Sequence, residues 1–223
     1  MAVLALGGAA ITIWAGDAFI DVAELVHSRS VALQEFDSRI HDLAITERSP
    51  IATAVLVGAT TIGSPVSVGV IVAIVATVLI IQHRYRWAIY LVGTTGLGAL
   101  MLIELKRYFA RARPDLAEAL RRASGYSFPS GHAMGSTIVF GALGYLALRS
   151  LRTWRAKAAA LAAAFTLVIT IALSRVYLGV HWISDVGAGV AVGALWVAIA
   201  TVAYETSRRI RMIRARRASS TAR

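Results

Sequence analysis

Cysteine is absent from the 223-residue chain, which excludes disulfides, thiolate nucleophiles and thiolate metal ligands. Charge is scarce: Asp, Glu, Lys and Arg together make up 16% of the residues. Acidic residues are the scarcer kind, 12 against 23 Lys and Arg, so the formal net charge is +11. That excess does not point to nucleic acid. Much of it lies in "SRRIRMIRARRASSTAR", directly after an apolar run. Arginines in that position mark the cytoplasmic end of a membrane helix and meet anionic lipid headgroups.

What fills the chain instead is hydrocarbon. Hydrophobic residues make up 57% of it, and the mean hydropathy is +0.67. A soluble domain of this length is far less apolar. Several runs approach or exceed the ~18–20 residues that carry a helix across a bilayer. The expected fold is all-α: a polytopic membrane protein with six spans in one bundle. Residues 1–205 form its single domain and residues 206–223 a basic cytoplasmic tail.

The first span is expected at Ala2 to Ile20. A signal peptide is its rival, but no basic residue precedes the run, which favours a retained helix. Asp21 to Pro50 is mixed in charge, and Val31, Leu33, Phe36, Ile40 and Leu43 suggest a surface-lying amphipathic piece. The second span, Ile51 to Ile81, is too long for a straight crossing of a ~30 Å core. Gly63, Ser64 and Pro65 mark a bend within it. Four further spans follow at Trp87 to Leu105, His132 to Leu148, Ala158 to Leu173 and Ile183 to Tyr204. In the last, Gly189 and Gly193 have the small-xxx-small spacing of close helix packing.

With six spans, "HRYR", "RSLRTWRAK" and the C-terminal tail share one side, which the positive-inside rule makes cytoplasmic. Lys106 to Gly131 and Ser174 to Asp185 then share the outer side. The first of these segments carries Lys106, Arg107, Arg111, Arg113, Arg121 and Arg122, against the charge trend. Such a violation points to a task other than topology.

Three polar clusters lie on that face: "KRYFARARP", "SFPSGH" and "SRVYLGVHWISD". Alone, each has an ordinary reading: a solvated helix ended by Pro114, a helix start capped by Ser130, an interfacial histidine. Together they supply what phosphoryl transfer needs. Lys106, Arg113 and Arg175 offset the charge of a phosphoryl group. Backbone N–H groups at Ser130 and Gly131 add donors at a helix N-terminus, where glycine permits close approach. His181 can attack phosphorus if Asp185, four residues on and so expected on the same helix face, accepts a hydrogen bond from its other ring nitrogen. His132 can protonate the leaving oxygen and later activate water. No Cys/His set or dense carboxylate cluster appears on this face, so neither a catalytic metal nor another cofactor is called for.

In sequence these clusters read K-x6-R-P, P-S-G-H and S-R-x5-H-x3-D, in that order. The pattern resembles the phosphatidic acid phosphatase type 2 family, which includes lipid phosphate phosphatases and vanadium haloperoxidases. Every defined position matches: Lys106, Arg113-Pro114, Pro129-Ser130-Gly131-His132, Ser174-Arg175, His181 and Asp185. The resemblance implies His181 as nucleophile, Asp185 as its partner and His132 as general acid. It also implies phosphate binding by Lys106, Arg113, Ser130, Gly131 and Arg175.

The function expected is metal-independent hydrolysis of a membrane lipid phosphate through a phosphohistidine, at the outer leaflet of the cell membrane. Phosphatidic acid, phosphatidylglycerol phosphate and undecaprenyl diphosphate all present the required phosphoryl group on an apolar tail. A vanadate-dependent haloperoxidase and an anion transporter are the rival classes. The family's haloperoxidases are soluble, and a transporter gives the histidine–aspartate pair and PSGH no purpose.

Overall fold

The computed structural model describes residues 2–221, with side chains from 12 to 215. Eight α-helices and one short 3-10 turn make up the regular structure among the described residues. They are α1 (Ala2–His27), α2 (Val31–Thr46), α3 (Pro50–Ile62), α4 (Pro65–Ile81), α5 (Tyr85–Phe109), α6 (Gly131–Ser150), α7 (Trp154–Tyr177) and α8 (Ile183–Thr221). The 3-10 turn, Leu116–Glu118, lies in the long connection between α5 and α6.

The helix starts are written into the chain. Ser30, Ser49, Ser64 and Thr153 each accept a hydrogen bond from a backbone N–H in the following first turn. Pro50 and Pro65 stand at the first helical position, where a missing N–H costs nothing. The expected bend is therefore a true break between α3 and α4, which meet at 51°. Gly63 sits at that break because there is no room for a side chain. A Cβ there would lie 2.3 Å from Cγ2 of Ile171 on α7.

α5, α6, α7 and α8 are each long and apolar enough to cross a membrane, and the bent α3–α4 pair makes up to one more such span. The first expected span falls on α1, many of whose side chains lie outside the described residues, as does the end of the basic tail. α6 is the central helix. Ala133, Met134, Ile138, Val139, Phe140 and Ala142 are all buried, and α4, α5, α7 and α8 pack around it. The outer faces are apolar instead: Val66, Val70 and Ile74 on α4 and Ile89, Leu97 and Leu100 on α5 are exposed. Apolar faces turned outward from an all-helical bundle suit lipid as the surrounding solvent.

α2 is the expected amphipathic piece, with an unusual division of faces. Val31, Phe36 and Leu43 are exposed, while Asp37 and His41 are buried against the bundle. α8 runs without interruption past Tyr204 to Thr221, longer than the expected last span.

Gly189 and Gly193 hold α8 against α6. A Cβ on Gly189 would stand 2.9 Å from the Ser130 carbonyl oxygen, and one on Gly193 would stand 2.8 Å from Cβ of Thr137. Gly187, one residue pair earlier, has open space. Gly189→Ala should therefore cost ~1–3 kcal/mol by overpacking, while Gly187→Ala, in open space on the same helix, should leave the thermal midpoint in detergent unchanged or raise it. Equal midpoints for the two variants would show that the close approach carries no energy.

Candidate active site

All three polar clusters meet at one end of the bundle. The segment after α5 turns at Ala110, whose φ of +43° is left-handed, and then runs without regular structure to Pro114. In such a stretch residues two apart point the same way, and Arg111 and Arg113 both reach inward. Arg113 Nη1 donates to the Val180 carbonyl at 2.7 Å and lies 3.1 Å from His181 Nε2. Its remaining donors hold the carbonyls of Ser124 and Gly125, each at 3.0 Å. Burial draws the Arg113 guanidinium below its ordinary value, and the Asp185 charge opposes that pull. Lys106, in the last turn of α5, donates to the Tyr126 carbonyl at 2.6 Å.

The stretch Ser174 to Asp185 folds as two caps back to back. α7 ends in a Schellman motif: the Val180 N–H bonds to the Arg175 carbonyl at 3.1 Å and the Gly179 N–H to the Val176 carbonyl at 2.9 Å. Gly179 supplies the positive φ, +73°, that this motif requires. α8 then begins, with Asp185 in its first turn accepting the Trp182 N–H at 3.0 Å, half of a capping box.

His181 sits between the two caps, so it does not share a helix face with Asp185 as their spacing suggested. The contact forms through the turn, with His181 Nδ1 3.3 Å from Asp185 Oδ2. Both side chains are buried, and Ser127 Oγ bonds to the same carboxylate oxygen. Burial pushes the His181 imidazole down to about 4, with Asp185 pulling the other way.

PSGH starts α6, but Ser130 is spent differently from the expectation. Its N–H is committed to the Asp185 carbonyl at 3.0 Å, so it is not open to an anion. Its hydroxyl does not cap the helix; it is buried with no partner. The helical ladder opens at the Met134 N–H, 2.9 Å from the Ser130 carbonyl. Gly131, His132 and Ala133 therefore precede the first helical bond, as the four-residue rule for helix starts requires. A Cβ on Gly131 would lie 3.3 Å from Leu102 and 3.8 Å from Cε of Lys106, so α5 passes close to this turn. His132 lies within electrostatic reach of Arg175, His181 and Arg113, beside the Thr60 backbone.

Arg175 is buried, with Nη1 donating to Thr60 Oγ1 and Nε lacking any partner. Sequence reasoning did not find Thr60. It reaches the site because the α3–α4 break lays the end of α3 against α7. Ser127, Arg111, Ser184 and Asp37 were likewise not assigned. Arg111 Nη1 donates to Asp185 Oδ1 at 2.7 Å, and its Nη2 to Asp37 Oδ2 at 2.6 Å. Ser127 adjoins PSGH and Arg111 adjoins Arg113, so proximity to a motif was a usable signal for both. Nothing local distinguished Asp37. Among the described residues, no three His, Cys, Asp or Glu side chains gather in metal-ligand geometry.

Two histidines, three basic side chains and partnerless buried polar atoms thus converge on one space, a set suited to an anion and to nucleophilic attack on it. Comparison with known proteins agrees. A phosphatidylglycerophosphatase B from Bacillus subtilis is 28% identical over 178 residues, covering 79% of this chain and 86% of that protein. A decaprenylphosphoryl-5-phosphoribose phosphatase from Mycobacterium tuberculosis is 33% identical over 127 residues, covering 56% of this chain and 64% of its own length. The crystal structure of a transmembrane PAP2-type phosphatidylglycerolphosphate phosphatase from Bacillus subtilis superposes with a TM-score of 0.81 at 26% identity. It spans 87% of this chain and 96% of that one. Aquifex aeolicus LpxE shares the fold more loosely, with a TM-score of 0.56 at 23% identity over 75% of this chain and 93% of its own. Residues 86–209, which hold all three clusters, match the PAP2 superfamily, and the chain belongs to it.

Proposed function

We propose that this protein is a metal-independent membrane phosphatase that hydrolyses lipid phosphates through a phosphohistidine. One observation carries the reading. Ser130 Oγ and Arg175 Nε are buried polar atoms without a partner, on residues whose backbones bond to Asp185 and Val180 on either side of His181, whose Nδ1 is already held by a carboxylate. Buried donors left unpaired are costly, so such atoms mark where a ligand's oxygens belong.

In this mechanism Lys106, Arg113, Arg175, the Ser130 hydroxyl and the Gly131 N–H hold the phosphoryl oxygens. His181 keeps its proton on Nδ1, toward Asp185, and the Nε2 lone pair attacks phosphorus. The bond from phosphorus to the lipid oxygen breaks as protonated His132 gives that oxygen its proton. Neutral His132 then takes a proton from water. The resulting hydroxide oxygen attacks phosphorus, the P–N bond breaks, and inorganic phosphate leaves.

The spans we assign are α1, the α3–α4 pair, α5, α6, α7 and α8, forming one domain over residues 1–205. The arginine-rich end of α8 lies far from the site. By the positive-inside rule the tail, residues 206–223, is cytoplasmic and the site extracytoplasmic. The lipid's tails then stay in the bilayer while its phosphate enters the polar end.

Among the candidate lipids, phosphatidylglycerol phosphate is favoured. The relatives with the fullest coverage carry that activity in their names. Purified protein with excess chelator should release phosphate from phosphatidylglycerol phosphate faster than from phosphatidic acid or undecaprenyl diphosphate. Activity that appears only on adding a divalent cation would refute the metal-free step. Silence on all three lipids would refute the reading as a whole.

A further inference from the structure

Arg111 and Asp37 stand behind the histidine–aspartate pair and have no part in the mechanism above. Arg111 lies between two buried carboxylates, with its side chain 13% exposed against 1% for Asp37 and 0% for Asp185. It gives one nitrogen to each, at 2.6 and 2.7 Å. Asp37 is fixed in turn by Ser184, whose N–H and Oγ reach it at 3.0 and 2.6 Å. Arg111 Nη1 also touches Ser184 Oγ at 2.7 Å. The indole of Trp182 closes the group, 5.9 Å from the Arg111 guanidinium carbon and with its N–H on the Ala112 carbonyl.

We propose that Arg111 and Asp37 are positioning residues that act through Asp185: Arg111 aims its Oδ1, and Asp37 sets how much of the arginine's charge Asp185 receives. The physical argument is a division of labour on one carboxylate. Oδ2 serves His181, Ser127 and the Trp182 N–H. Oδ1 is left to Arg111. A carboxylate held on both oxygens cannot rotate, so the imidazole facing it is held in one tautomer and one plane. An arginine given wholly to Asp185 would weaken that carboxylate's pull on the imidazole proton. Asp37 takes half of the fork and restores the pull. The same contact ties α2, whose outer face is apolar and exposed, to the reacting histidine.

The test reads His181 directly and rests on His181 being the nucleophile only for its activity arm. The protein has five histidines, so 15N-histidine labelling gives few ring signals, with His181 assigned by loss of its signal in His181→Gln. The groups facing His181 are Asp185 of α8, Ser127 and Arg113 of the α5–α6 connection, Lys106 of α5 and His132 of α6. All are unchanged in the two variants, and His41 packs against Trp182, its ring centroid 5.5 Å from the indole.

Arg111→Met frees Asp185 for His181 and should raise the His181 midpoint by ~0.5 pH unit or more. Asp37→Asn gives Arg111 wholly to Asp185 and should lower it. Each should also cut kcat for phosphate release at least tenfold. Structural damage alone would not move the midpoint in opposite directions. Where one variant does not fold, the sign of the shift in the other decides. A wild-type midpoint in the folded variants, or shifts of one sign in both, overturns the proposal. Inactive wild-type protein would instead count against the phosphatase reading and leave the titration arm to decide this inference.

Discussion

His181→Ala should abolish phosphate release, lowering turnover by ~10⁴–10⁶-fold while the protein still folds and still binds the lipid. The size follows from the role assigned. In the proposed mechanism an alanine leaves the phosphate cradle of Lys106, Arg113, Ser130 and Arg175 intact but removes the atom that bonds to phosphorus. Only water without a nucleophilic relay remains. Wild-type protein quenched into alkali after mixing with phosphate-labelled lipid should carry protein-bound label, and the variant should carry none. Label that persists in His181→Ala would place the covalent bond elsewhere.

The same residue sets the acid side of the pH dependence. Burial holds the His181 imidazole down to about 4, below the 6.5 of a free histidine. At pH 5 to 8 it is therefore neutral, with a lone pair to offer. As pH falls through about 4 the ring gains its proton and the lone pair is lost, so kcat measured against pH should fall there. A histidine left at its ordinary value would already be half inactive near 6.5. In the proposed mechanism the depressed value keeps the nucleophile ready across physiological pH.

Much of this was legible in the sequence for a physical reason. A phosphoryl group needs cations, close backbone and a directed nucleophile, and these come as short segments of fixed spacing at helix ends. Hence Lys106, Arg113, Ser130, His132, Arg175, His181 and Asp185 could be grouped as one candidate site before any fold was known, and the structure brings them to one end of the bundle. The bend between α3 and α4 was legible too, because Gly63, Ser64 and Pro65 interrupt the apolar run, though not that it is a full break with a new helix start at Pro65. What could not be read were contacts made across the chain. Asp37 meets Ser184 from 147 residues away, and Thr60 meets Arg175 from 115. Neither carries a local signal, since each is a common residue on a helix whose rotation only packing decides. The His181–Asp185 contact was read correctly as a pair but for the wrong geometry. A spacing of four fits one helical turn, yet here it spans the gap between two caps.

Asp185→Asn should cost ~10⁴-fold in turnover, and the reason is visible in how the carboxylate is used. Both of its oxygens accept hydrogen bonds: Oδ1 from Arg111 at 2.7 Å, Oδ2 from the Trp182 N–H at 3.0 Å and from Ser127. An asparagine has one oxygen and one NH₂ to share between those two positions. With the NH₂ toward Arg111, two donors face each other and a buried guanidinium loses a partner. Breaking a buried pair in this way costs ~3–5 kcal/mol of stability. With the NH₂ toward His181, donors face the Trp182 N–H, and the ring must turn its bare nitrogen to the amide. The proton then moves to Nε2, the atom that should attack, and nucleophilicity is lost. One orientation harms the fold and the other the chemistry. The thermal midpoint and kcat measured on the same preparation will tell which is adopted: a preserved midpoint with kcat down ~10⁴-fold assigns the tautomer exchange. Near-normal turnover would mean that His181 does not depend on Asp185 for its orientation.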